Sequence, residues 1–136
     1  MNKKNIAILF ALICAVYFIG IAVDTMDVDA SQYAAMSREM KESGSYLQVY
    51  EHGKDYLDKP PFLFWVSALS MKVFGENNLG YKFPSILFAI FAVFATFRFA
   101  KLFYDRTIAL LSAAVLATCQ AMFLITSDIR TDTILM

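Results

Sequence analysis

Asp29, the run Asp58-Lys59-Pro60-Pro61 and the run Asp128-Ile129-Arg130-Thr131-Asp132 hold the side chains whose types and spacing allow chemistry. A carboxylate can take a proton from a hydroxyl, and a lysine can hold a phosphate as a point charge. Each proline disfavours the αR conformation in the residue before it, so Lys59 and Pro60 are expected to be extended. Pro61 then suits the first position of a helix over 62–74. Asp58 and Lys59 are thus held just ahead of a helix N-terminus, whose partial positive charge favours anions. Plainer readings stand beside these. With Gln32 three residues on, Asp29 resembles a capping box. Asp58 and Lys59 can be a solvated pair worth about 0–1 kcal/mol, or Lys59 a lysine snorkelling to lipid headgroups. Asp128, Arg130 and Asp132 can be a hydrated loop.

The elements that must position these groups are apolar. The chain is 59% hydrophobic and 15% aromatic, with a mean hydropathy of +0.54. That composition is not an ordinary soluble domain's. A helix needs about 20 residues to cross a bilayer, and segments 6–23, 83–100 and 108–126 meet that within a residue or two. The first is expected to be an uncleaved span, because it is long for a signal peptide and no clean small-residue cleavage site follows. Segment 62–74 would cover only about 20 Å as a helix, so it is expected to lie in the interface or re-enter. The formal net charge is zero with no basic run, which argues against a nucleic-acid partner. There is no glycine-rich phosphate loop and no spaced Cys/His cluster. Cys14 and Cys119 fall inside spans and read as small buried apolar side chains.

Charge sets the expected topology. With three spans, Lys3 and Lys4 share the cytoplasm with Arg98, Lys101 and Arg106, as the positive-inside rule requires. Residues 24–82 then form one long loop outside the cytoplasm, and Asp128–Asp132 emerges on that same side. Within the loop, Tyr33, Met36 and Met40 recur at helical spacing, predicting an amphipathic helix from Asp29 to Glu42 with these side chains against the membrane. Gly44 is placed to end it. Tyr46–Tyr50 reads as extended, Glu51-His52-Gly53-Lys54 as a turn, and Trp65 suits the headgroup level. Gln120 is expected to bond a neighbouring helix. Ile134-Leu135-Met136 reads as the start of another apolar run, so the chain is expected to continue.

The residues 29–40 (Asp-Ala-Ser-Gln-Tyr-Ala-Ala-Met-Ser-Arg-Glu-Met), 56–65 (Tyr-Leu-Asp-Lys-Pro-Pro-Phe-Leu-Phe-Trp) and 74–83 (Phe-Gly-Glu-Asn-Asn-Leu-Gly-Tyr-Lys-Phe) resemble the aminoarabinose transferase and protein O-mannosyltransferase superfamily. These are polytopic glycosyltransferases of the GT-C architecture that use lipid-phosphate-linked sugars. The resemblance implies an all-α membrane protein with membrane-parallel helices in a long first loop, here as the N-terminal part of a longer enzyme. It implies a polyprenyl-phosphate-linked sugar as donor and a glycan, lipid or protein acceptor at the outer face of a bacterial inner membrane. On that resemblance, Asp29 is the catalytic aspartate and Asp132 the second essential acid. Lys59 holds the donor phosphate, with Arg130 as a second cation, and Asp58 binds a divalent metal ion. The sequence departs from the family pattern at Ala30, Gln32 and Asp58, where an acid, an arginine and a glutamate are usual. A small non-catalytic membrane protein or assembly partner is the other expectation the residues allow.

Overall fold

The computed structural model describes residues 3–24 and 28–127. It contains α1 (Lys3–Ile19) running into a 3₁₀ turn (Gly20–Ala22), α2 (Val28–Ser43), and strands β1 (Tyr50–Glu51) and β2 (Lys54–Asp55). Helices α3 (Phe62–Phe74), α4 (Asn78–Phe103), α5 (Arg106–Thr118) and α6 (Gln120–Thr126) follow. The architecture is all-α apart from one antiparallel hairpin, with Tyr50 opposite Asp55 and Glu51 opposite Lys54. His52 and Gly53 both have positive φ at its tip, the left-handed pair that a two-residue hairpin demands.

Two units share α4. The first is a helical bundle in which α4 and α5 form a hairpin through Tyr104 and Asp105, whose carboxylate accepts from the Ile108 N–H at 2.9 Å and caps α5. Ala109, Ala113 and Ala117 recur every fourth residue on α5 and are fully buried. Such small side chains let helices approach closely where no hydrophobic drive exists between them. Ala113 and Ala117 share a core with Ile86, Ala89 and Val93 of α4 and Tyr17 of α1. The large apolar side chains Leu12, Phe91, Phe94, Leu111 and Val115 face outward. Two helices, Lys4–Ala22 and Asn78–Phe103, are long and apolar enough to cross a membrane.

The third apolar segment is not one helix. Segment 108–126, expected as the third span, is divided into α5 and α6, bent by 54°, a pair long and apolar enough to form one broken span. Cys119 is extended (φ −68°, ψ 143°), its N–H turns back to Leu116 O at 3.2 Å, and Met122 N–H restarts the ladder on Cys119 O at 3.1 Å. Residues 117–120 are Ala-Thr-Cys-Gln, with neither the proline nor the glycine that ordinarily kinks a helix. The Ala117 carbonyl would accept from Ala121 in a straight helix. Here it accepts from the Tyr17 hydroxyl at 2.7 Å. A buried carbonyl left unsatisfied costs about 1–3 kcal/mol, and the Tyr17 bond removes most of that cost. Gln120 starts α6 and, among the described residues, has no partner on another helix.

The second unit is built from α2, the hairpin, α3 and the first turns of α4. Here too one expectation is corrected. Tyr33, Met36 and Met40 of α2 do not face a membrane; they pack with Leu63, Phe64, Ala68 and Met71 of α3. Helix α2 therefore sits on α3, and α3 carries the outward apolar stripe: Phe62, Trp65, Leu69 and Val73 are exposed. A 13-residue helix buried on one side and apolar on the other fits an interfacial position. The end of α2 comes at Gly44, with φ of 71° and its N–H on Met40 O at 3.0 Å.

The joint between the units is the segment 74–82. Gly75 turns the chain at φ 85°. A Cβ at Gly80 would stand 2.1 Å from the Gly75 carbonyl oxygen, so the start of α4 fits only with glycine there. Glu76 accepts from Lys41 Nζ at 2.7 Å and pairs with Arg38 Nε at 3.1 Å, tying α2 to the joint. Asn77 Oδ1 accepts from Gly80 N at 2.9 Å and begins α4 five residues before the apolar pattern does. Asn78 donates to Asp24 at 2.9 Å, and buried Lys82 donates to the Val23 carbonyl. The joint thus also clamps the chain where it leaves the 3₁₀ turn.

Candidate active site

Helix α2 presents Asp29 in its first turn, where a negative charge is favoured by the helix dipole. The capping-box reading of Asp29 is not what forms. Asp29 lies inside the helix, and the Gln32 amide donates to Glu51 on the hairpin at 2.5 Å rather than folding back. Tyr33, four residues on, lies on the same face. Its ring meets Phe64 edge-on at 6.0 Å, and Tyr56 meets Phe64 edge-on at 6.1 Å. Phe64 is fully buried between them. The Tyr56 N–H bonds Val49 O at 2.9 Å, closing the base of the hairpin. Two residues later comes Asp58.

Asp29 and Asp58 stand 29 positions apart in sequence, and both bear on the Tyr56 phenol. Burial is the first cause that pushes this phenol above its ordinary range, and Tyr33, Asp58, Glu51 and Asp29 all push it the same way. Tyr56 therefore stays protonated and can donate. Sequence reasoning missed Tyr56. Its spacing of two from Asp58, next to a rigid proline pair, was the available signal.

Lys59 is exposed beside Asp58, and the Pro61 carbonyl accepts from Trp65 N at 3.0 Å to open α3. The Trp65 indole donates to Tyr46 O at 2.5 Å, and Lys72 stands 4.9 Å over the Tyr46 ring, fixing the segment before the hairpin against α3; the stretch 46–50, expected to be extended, bends at Leu47 and Gln48 and joins the strand only at Tyr50. Glu39 accepts from the N–H groups of His52 and Gly53 at 3.0 and 2.9 Å and so holds the hairpin tip. An open groove of about 720 Å³ runs between α2 and the hairpin, lined by Ser31, Gln32, Arg38, Glu51 and His52 among others.

A census of carboxylates separates the framework from the rest. Asp24, Glu39, Glu51, Asp55, Glu76 and Asp105 each accept a hydrogen bond that holds the fold. Among the described residues, Asp29, Asp58 and Glu42 accept none, and Lys59 has no ion-pair partner. Glu42 sits within reach of the Arg38 charge. Asp29 and Asp58 are the two of these three that bear on the Tyr56 phenol. Among the described residues no group of three acidic, histidine or cysteine side chains converges.

Asp128, Arg130 and Asp132 lie outside the described residues. The chain's approach to them is described. A Cβ at Gly20 would lie 3.1 Å from Ser127 Oγ, so the end of α6 rests on the turn that follows α1. Ser127 therefore leaves the bundle at the end where Val23 and Lys82 meet.

Helices able to span, a helix apolar on its outward side and a polar module on one end define a polytopic membrane protein. The family described as dolichyl-phosphate-mannose-protein mannosyltransferase matches residues 58–136, more than half of the chain, and the chain belongs to that family. The undecaprenyl phosphate-alpha-4-amino-4-deoxy-L-arabinose arabinosyl transferase of Enterobacter sp. (strain 638) is 33% identical over 95 residues, which are 67% of this chain and 17% of that protein. The one of Wigglesworthia glossinidia brevipalpis is 30% identical over 85% of this chain and 21% of its own length. An uncharacterized protein of Aquifex aeolicus is 30% identical over 86% of this chain and 24% of its own. The crystal structure of ArnT from Cupriavidus metallidurans in the apo state superposes with a TM-score of 0.89 over 96% of this chain and 25% of that one. At 20% identity this likeness is one of fold. The chain spans about a fifth of the length of the curated relatives it matches. These relatives and the apolar helices make it a multi-pass protein of the bacterial inner membrane.

Proposed function

We propose that this chain supplies the first catalytic corner of a membrane glycosyltransferase. The enzyme moves a sugar from a polyprenyl-phosphate donor to an acceptor hydroxyl at the periplasmic face, with inversion. A carboxyl of Asp29 takes the acceptor proton as the acceptor oxygen bonds the anomeric carbon. The bond from that carbon to the phosphate oxygen breaks, and polyprenyl phosphate leaves. Because the leaving phosphate is already a stable anion, one positioned base suffices. Lys59, and Arg130 beside Asp132, stabilise the phosphate charge. Tyr56 remains protonated and adds a hydroxyl donor. Asp132 is the second essential acid. Asp58 shapes the field around Tyr56 and Lys59, and no step here runs through a metal ion. The acceptor is a glycan, lipid or protein.

What supports this reading is that Asp29 and Asp58 both bear on the Tyr56 phenol and, among the described residues, accept no framework bond, while Glu39, Glu51, Asp55 and Glu76 hold the fold. The relatives named as arabinosyl transferases support the donor class. The 136 residues alone are expected to be inactive, since the remaining walls of a donor site belong to later segments of such enzymes. The test is sugar transfer from polyprenyl-phosphate sugars in membranes containing the complete protein. Transfer that survives Asp29→Asn at the parent rate would remove Asp29 from the mechanism.

A further inference from the structure

We propose that Tyr17 is a positioning residue. Its hydroxyl holds the break at Cys119 and so seats the end of α6 against α1, at the face where the chemistry above takes place. The link to chemistry rests on the proposed function; the link between Tyr17 and the bend does not.

Nothing local breaks the segment. Ala117-Thr118-Cys119-Gln120 contains no proline or glycine, and the residues on either side are good helix formers. A straight helix would satisfy Ala117 O from within the segment. The bent form instead depends on a donor 100 residues away, the Tyr17 phenol at 2.7 Å, which is 1% exposed in an otherwise apolar core. The same ring meets Phe123 of α6 edge-on at 5.7 Å. Three residues on, in the 3₁₀ turn that follows α1, Gly20 leaves the space that Ser127 fills. Tyr17 thus touches both sides of the break. Gly20 receives the end of α6, one residue before the acidic run begins.

Without the hydroxyl, the buried Ala117 carbonyl is satisfied only if α5 and α6 straighten into one helix. Ser127 would then leave Gly20. This movement is readable by a crosslink. A Cβ at position 20 lies 4.0 Å from that of Ser127, inside the range a disulfide accepts. The Gly20→Cys/Ser127→Cys pair, made in the complete protein in membranes, is expected to form a disulfide under mild oxidation. Mass spectrometry of the peptides distinguishes it from bonds to Cys14 or Cys119. Adding Tyr17→Phe keeps the ring and deletes one hydroxyl; the yield of this disulfide should fall about fivefold, the worth of one hydrogen bond.

Gln120→Pro supplies the rescue. Cys119 already has the extended geometry preferred before proline, and position 120 opens α6, where proline is tolerated. In a straight helix the same ring would clash with the Leu116 carbonyl. Gln120→Pro should therefore restore the disulfide, and with it the turnover for lipid-linked sugar, in the Tyr17→Phe protein. A hydroxyl that only stabilised the fold would not be replaced by a proline 103 positions away in sequence. An unchanged disulfide yield in Tyr17→Phe, or a loss that Gln120→Pro fails to restore, overturns the proposal. If Tyr17→Phe alone is not recovered from membranes, the double variant decides: its recovery with the disulfide intact supports the proposal, and its absence overturns it. The crosslink needs no sugar transfer, so a parent protein that transfers no sugar refutes the proposed function without touching this result.

Discussion

Segments 56–61 and 74–80 are equally conspicuous in the sequence, yet they do opposite things. In 74–80 every polar side chain is engaged: Glu76 with Arg38 and Lys41, Asn77 with the Gly80 N–H, and Asn78 with Asp24. In 56–61, Asp58 and Lys59 make no hydrogen bond or ion pair among the described residues, while the backbone around them is stiffened by two prolines. A motif whose polar groups are all paired holds elements together. One that holds polar groups rigid and leaves them free is available to a ligand. Distinctive sequence alone does not tell the two apart.

The contrast can be broken from either side. The largest effect is expected at the free carboxylate. Asp29→Asn should lower transfer by roughly 10²–10⁴-fold, the usual contribution of a positioned base, while membrane insertion and thermal unfolding stay as in the parent. A matching loss of thermal stability would place Asp29 in the framework. Next comes Gly80→Ala, whose added methyl has no room beside the Gly75 carbonyl. It should destabilise the protein by about 3 kcal/mol or more, read as a lowered unfolding temperature in detergent, with activity falling only as folded protein is lost. Lys59→Gln should raise KM for the lipid-linked sugar by roughly tenfold or more, with unfolding unchanged. A lysine that merely snorkels would leave KM alone.

The smallest effect concerns Glu76. Its carboxyl is held below the ordinary range, chiefly by the hydrogen bond from Lys41, with the Lys41 and Arg38 charges adding to it. A depressed carboxylate contributes stability above its unfolded pKa and loses it as pH falls through the folded one. Acidification into that lower range should therefore loosen α2 from the joint, seen as faster amide exchange in residues 28–43. Glu76→Gln should already show this looseness at neutral pH and lose the pH dependence. Because the pair is exposed, transfer activity at neutral pH should change little.

Much of the architecture was legible. Apolar stretches of sufficient length, the short apolar helix over 62–74, the stop at Gly44 and the turn at His52-Gly53 all follow from local rules. Chain length, periodicity and backbone preference act within a few residues, so the sequence alone can carry them. It also marked Asp29, Asp58 and Lys59 through their setting. What needed the tertiary structure was the choice of partner. Periodicity shows that Tyr33, Met36 and Met40 must leave water, but not whether a membrane or α3 receives them. A capping pattern at Asp29 and Gln32 was available, and Glu51 took the glutamine instead. Tyr56 became a candidate only when it packed edge-on against Phe64 within the field of Asp58, Glu51 and Asp29. The bend at Cys119 has no local signal, because the group that makes it tolerable comes from Tyr17. Local sequence settles which groups are apolar, rigid or charged; the identity of a distant hydrogen-bond partner is decided only when the helices pack.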